Sequence, residues 1–177
     1  MDELFHQNNT DNKETASVDI AYIKSTATAF EIAHEFVGLR ALIIVEAGTF
    51  QSLIRNLFRK VDYQYFVDRA IEIKDKIDKL GNNVDSIILL SPPKSPVQKE
   101  FAQALHQYID ALSKAVEIFL NKTKFMAAKA KDPMTLETSY AKFKKIIKDE
   151  SLSLEECQKK GDKLTILYRN FFGLGVA

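Results

Sequence analysis

An all-α protein is what this sequence predicts, and three observations carry the prediction. Apolar residues recur at spacings of three, four and seven through most of the chain, the period of amphipathic helices. Ser95-Pro96-Val97-Gln98 and Ser153-Leu154-Glu155-Glu156 have the residue order of helix N-termini. The cluster Ser91-Pro92-Pro93-Lys94-Ser95-Pro96 is the one clear boundary between periodic stretches. The expected architecture is a long antiparallel helical hairpin in a helix bundle, followed by further C-terminal helices, about five helices in all.

Composition narrows the class. With 46% hydrophobic and 28% charged residues over 177 positions, the chain is too apolar for general disorder and long enough to bury a core. The net charge of +1 argues against a globally basic nucleic-acid binder. One cysteine, Cys157, excludes an internal disulfide and any multi-cysteine metal site. The longest apolar run, Ala41–Val45, lies between Arg40 and Glu46, so no bilayer span is expected. Met1–Ala16 is polar, with no apolar core of a secretory signal, and a cytoplasmic location is the expectation.

Residues 1–15 show no helix or strand period and read as a mobile tail. Residues 16–91 read as the hairpin. Its first arm, from Ser17 to about Lys60, carries two apolar stripes. One runs through Ile20, Ile23, Ala27, Phe30, Val37, Ala41 and Ile44. The other follows Ala29, Phe36, Ile43, Phe50 and Leu57. At about 100° per residue they stand roughly 120° apart, so this helix has two sets of neighbours. Ala47-Gly48-Thr49 is the expected kink. Asp62 caps the second arm, where Tyr63, Phe66, Ala70, Ile73, Ile77 and Leu80 form a heptad seam. Gly81-Asn82-Asn83 is a candidate interruption before Val84–Leu90.

Residues 92–96 read as a linker, and residues 97–177 as a C-terminal helical segment packed on the hairpin. Phe101, Leu105, Tyr108, Leu112, Ala115, Phe119 and Met126 share one face of a helix that starts at the Ser95 cap and runs to about Lys129. Asp132-Pro133 opens another helix, with Leu136, Tyr140, Phe143 and Ile147 facing inward. The Ser153 box opens a further one with Cys157, Leu164, Tyr168 and Phe171 inside. Lys163–Tyr168 is rich enough in β-formers that a strand competes there.

The chemistry-bearing residues are few. His34, followed by Glu35, has the makings of a phosphoryl acceptor, since a neutral imidazole is a nucleophile and an adjacent carboxylate can take or orient its proton. The plain alternative is a helix histidine that only packs. Glu31-x-x-His34 has the spacing of a di-iron ligand pair, and Glu46 and Glu117 could contribute, but His106 has Gln103 where the second glutamate belongs, so the pair is missing. No metal and no cofactor are expected. Residues Lys122–Lys148 hold eight lysines against Asp132 and Glu137. Phosphate or anionic-lipid binding would follow from that charge, although an exposed lysine face on amphipathic helices is the simpler reading. Cys157 reads as a small buried residue, and the apolar end Phe171–Ala177 as a docked or interfacial segment.

One resemblance rises above these elements. Ile32-Ala33-His34-Glu35-Phe36 resembles the phospho-acceptor box of sensor histidine kinases, which commonly reads Ala/Ser-His-Glu/Asp-Leu/Phe. Ile77-Asp78-Lys79-Leu80, then Val84, Ile87 and Leu89, then Pro92-Pro93-Lys94 and Pro96, look like the end of the second helix of the same domain. The likeness covers about residues 18–96. It implies a dimerisation and histidine-phosphotransfer module, a homodimeric four-helix bundle with a response-regulator-like partner. His34 would be the acceptor and Glu35 its acid/base neighbour. Val37, Gly38 and Leu39 stand where the family has a basic or Asn residue, then Asn or Thr, then Pro. Arg40 stands where an apolar residue is usual. Neither an Asn-rich helix nor Asp-x-Gly-x-Gly loops of an ATP-binding domain occur, so an autonomous kinase is not expected. The alternative is a non-enzymatic scaffolding or partner-binding bundle in which His34 is structural.

Overall fold

A computed structural model describes residues 2–47, 61–131 and 137–171, with side chains over 18–46, 61–129 and 141–171. Among these residues there are four helices and no strand: α1 (Asp2–Ala47), α2 (Tyr63–Leu90), α3 (Pro96–Lys131) and α4 (Glu137–Phe171). The expected kink at Ala47-Gly48-Thr49 and the last turns of the first arm lie outside the described residues. So do the Asp132-Pro133 helix start and the end after Phe171. Of the tail expected over residues 1–15, residues 2–15 are instead the opening of α1. No Gly or Pro precedes Gly38, so nothing breaks the backbone there. Missing apolar period says what a helix packs against, not whether it forms.

The start of α2 follows its sequence signal. Asp62 Oδ1 accepts from the backbone N–H groups of Gln64 (3.1 Å) and Tyr65 (3.2 Å), satisfying two donors that no helical turn reaches. Phe66, Ala70, Ile73, Ile77 and Leu80 are buried, with Tyr63 half-buried beside them. The interruption expected at Gly81-Asn82-Asn83 does not occur. A side chain at Gly81 would stand 3.8 Å from Ile109, and fully buried Val84 packs beyond it. That packing carries α2 two turns further than propensity alone would. The helix ends at Leu90, where the Ser91 N–H still bonds to Ile87 O at 2.9 Å. Pro92 and Pro93 cannot continue the ladder.

At the head of α3 the capping box is complete. The Gln98 N–H donates to Ser95 Oγ (3.1 Å), and Gln98 Oε1 accepts from the N–H groups of Lys94 (2.9 Å) and Ser95 (3.3 Å). Gln98 Nε2 also donates to Asp19 Oδ1 on α1 at 3.0 Å, so the cap is fastened to a neighbouring helix. Beyond it, Phe101, Ala102, Ala104, Leu105, Tyr108, Ile109, Ala111, Leu112, Ala115, Val116 and Phe119 are all buried. A helix buried on so much of its circumference is an inner one. It packs against α1, α2 and α4, while α1 lies on α2 and α3. The inner position that the two stripes of α1 suggested belongs to α3.

Residues 92–96 are a turn inside one bundle, and a single core joins all four helices. The two helices expected from Asp132 and Ser153 are one continuous α4. Ser153 Oγ donates to Glu150 O at 2.9 Å, a bond made inside a helix, not a cap. Lys163–Tyr168 is helical. Ile147, expected to face inward, is exposed, while Phe143 is half-buried and stacks on Phe125 at 5.7 Å.

Candidate functional site

The orientation of α1 decides what His34 can do. Tyr22, Ala29, Ile32, Phe36, Leu39 and Ile43 form its buried stripe. The Phe36 stripe therefore faces the core. His34, about 160° around the helix, is exposed. The other stripe is partly covered at Ile23 and at Phe30, both half-buried, the Phe30 ring lying 5.5 Å from that of Tyr108. Further along, Val37 is 56% and Val45 77% exposed.

The result is an unusual outer face. From Ile20 to Val45, the arc of about 120° that holds Ile20, Ala27, His34, Val37, Gly38, Ala41, Ile44 and Val45 contains no Asp, Glu, Lys or Arg. Each of these eight residues is exposed, while Ile23 and Phe30 in the same arc are half-buried and Thr26 at its border is buried. A side chain at Gly38 would meet nothing within 4 Å. His34 lies in the middle of the face and makes no hydrogen bond or ion pair among the described residues, which leaves both ring nitrogens open to a reactant. His106 differs. Its Nε2 lies 3.2 Å from Asp85 Oδ1 and its Nδ1 3.0 Å from Asp110 Oδ2, so neither nitrogen is open.

Glu35 is not placed as the sequence reading supposed. Successive helical residues point about 100° apart, and Glu35 turns toward α2. Its Oε1 accepts from Arg69 Nη2 and its Oε2 from Lys76 Nζ, both at 2.6 Å. Arg69 also bonds Glu72. With both oxygens engaged by cations, Glu35 ties α1 to α2 and is not held against the His34 ring. Beside it a groove of about 640 Å³ runs between α1 and α2, with Lys24, Thr28, Glu31 and Lys79 on its rim and Ile32 and Leu80 in its floor. His34 lies outside that groove. Among the described residues no three His, Cys, Asp or Glu side chains gather as metal ligands.

Arg40, out of pattern for the family the sequence resembles, has a structural reason. Its Nε lies 3.3 Å from Glu150 Oε1, and Lys122 Nζ lies 2.7 Å from Glu150 Oε2. The Glu150 side chain is only 5% exposed, so the two cations stabilise its charge in the interior. The Arg40 guanidinium lies 6.0 Å from the Phe36 ring, which meets Phe119 edge to face at 5.5 Å. α1, α3 and α4 each contribute one charge. Sequence reading marked Arg40 as misplaced but had no signal for a partner more than a hundred residues away.

Cys157 is buried, and burial, with a lesser push from the Glu156 charge, raises its thiol to about 11. The Tyr108 phenol is raised as well, chiefly by burial and then by Cys157. Lys122, placed in the basic stretch by sequence, is spent on Glu150, and Lys129 lies 6.0 Å from the Phe125 ring. No helix among the described residues is long and apolar enough to cross a membrane. No protein-family model, curated protein or solved structure matches the chain.

Proposed function

We propose that this protein is a helical interaction module of a signalling type. Its partner-binding surface is the outer face of α1, with His34 at the centre as a phosphoryl acceptor. One observation carries the reading: an exposed histidine with both nitrogens open stands in the middle of an apolar, charge-free helix face. A contiguous exposed apolar face of this kind is the mark of a protein-binding surface. Ala27, Gly38 and Ala41 let another backbone approach closely, and a response-regulator-like domain is the partner that the sequence resemblance implies.

In the transfer, a neutral His34 nitrogen attacks the phosphorus of an aspartyl phosphate on the partner. The N–P bond forms as the P–O bond breaks, and the aspartate leaves with its electron pair. The ring proton passes to water, because Glu35 is held by Arg69 and Lys76. Glu35 is then a positioning residue.

Phosphoramidate tests the acceptor without the partner. Attack on its phosphorus expels ammonia and leaves an acid-labile N–P bond visible by 31P NMR. Labelling of the wild type that disappears in His34→Gln, with thermal stability unchanged, is the expected result. Labelling that survives His34→Gln, or no labelling of either chain, overturns it.

A second reading has its own support. Among the described residues no group orients the His34 ring, and the apolar spacing Ile20–Ala27–His34–Ala41 is the seven-residue repeat of a helix-pairing seam. The same face would then join a second copy as a scaffolding surface, with His34 merely packed in it. Sedimentation distinguishes the two: a dimer that Val37→Glu dissociates supports pairing of copies, whereas a monomer at micromolar concentration excludes it.

A further inference from the structure

The first half of α4 carries a charge pattern that its own fold does not answer. Lys142, Lys144, Lys145 and Lys148 are exposed and make no ion pair among the described residues. Several other described lysines on the bundle do. Lys74 meets Asp78, Lys76 meets Glu35, Lys114 meets Glu156 and Lys159 meets Glu155.

The spacing makes the contrast sharper. Lys144 and Lys148 are four apart. Lys142–Lys145 and Lys145–Lys148 are three apart. Each spacing stacks like charges on one helix face, which opposes helix formation. Asp149, half-buried, is the nearest acid in sequence but pairs with none of them among the described residues, and Glu150 is turned inward onto Arg40 and Lys122. Four unanswered cations at repulsive spacings call for an anion outside the chain.

The surroundings select the kind of anion. Lys144, Lys145, Lys148 and Leu152 fall within an arc of about 100° on α4. Leu152 is 55% exposed, and Ile147, about 60° outside the arc, is exposed too. A base-reading surface would show arginine forks or free aromatic faces. The only arginine described in α4 is Arg169, at its far end, and the Phe143 ring is stacked on Phe125. Lysines on long flexible stems around exposed aliphatic side chains suit a bilayer surface, where the ammonium groups meet headgroups and the aliphatic groups reach the acyl boundary.

We infer that the Lys142–Leu152 face of α4 docks the protein on a membrane surface rich in anionic lipid. Its placement on α4 separates it from the α1 face, so partner binding and membrane docking are independent.

Vesicle co-sedimentation of the full chain tests this. Binding is expected to vesicles of phosphatidylglycerol and phosphatidylcholine at low salt, and to fall steeply as salt rises. Each neutralised lysine is expected to weaken partitioning about fivefold, so Lys144→Gln/Lys145→Gln/Lys148→Gln together should weaken it about a hundredfold. Unchanged circular dichroism of the triple variant would show that the fold is kept. Absence of binding to the anionic vesicles overturns the inference, as does equal binding to pure phosphatidylcholine. So does binding that the triple variant leaves intact, or capture by a duplex oligonucleotide in preference to the vesicles.

Discussion

Tyr22 is fully buried on α1, and its hydroxyl has no hydrogen-bond partner among the described residues. An unsatisfied buried hydroxyl costs about 1–3 kcal/mol. Tyr22→Phe is therefore expected to leave stability unchanged or raise it by about 1 kcal/mol, read as a higher urea midpoint. Two glycines respond in opposite senses. Gly81→Ala places its methyl at an ordinary 3.8 Å from Ile109, so helix propensity should add about 0.5–1 kcal/mol. At Gly161 the same methyl comes within 3.0 Å of the Tyr108 ring. That ring is buried and backed by Phe30. It cannot give way, and overpacking of about 1–3 kcal/mol should outweigh the propensity gain. Cys157 titrates with a definite sign. The unfolded thiol ionises near 9.0 and the folded one near 11. Its contribution to stability is complete below pH 9 and is lost as pH rises toward 11. Thiol reagents at pH 8 should leave the folded chain unmodified until urea opens it.

Between helices, one contact sets the strongest expectation. Glu150→Ala leaves Lys122 and Arg40 facing each other with no counter-charge. Lys122 is only 13% exposed, and removing one member of a buried ion cluster typically costs about 3–5 kcal/mol. Chemical denaturation measures it. Changing Arg40, Lys122 and Glu150 together to apolar residues should recover most of the loss. The elements also show what was readable. The Asp62 cap and the Ser95 box were legible because their partners lie within four residues, and the α2 seam because its apolar residues recur at spacings of three and four. The Ser153 box and the Gly81 break misled because both motifs are local and packing overruled them: Ser153 bonds back to Glu150, and Val84 holds α2 straight. Glu35 misled because adjacency in sequence is not adjacency on a helix.

At the scale of the molecule, the all-α class was legible from periodicity alone. The position of α3 was not, although its sequence carried the signal. Phe101, Ala102, Ala104 and Leu105 crowd apolar residues onto more than one face. That breadth was read only along a single stripe, as was natural for a helix following a proline cluster. The exposure of His34 depends on which stripe of α1 faces the core, and only packing could settle that.

The central place of α3 bears on how the chain can be divided. Its two halves meet at Ser91–Ser95, yet neither half contains a complete interior: α1 and α2 lack the helix they rest on, and α3 would stand uncovered on two sides. Residues 1–91 and 92–177, produced as separate polypeptides, should each be poorly ordered. Mixed, they should recover helical circular dichroism together, with a midpoint that rises with concentration. The proline turn is thus a site where the molecule can be split and made to reassemble, with folding itself reporting the encounter of the two pieces.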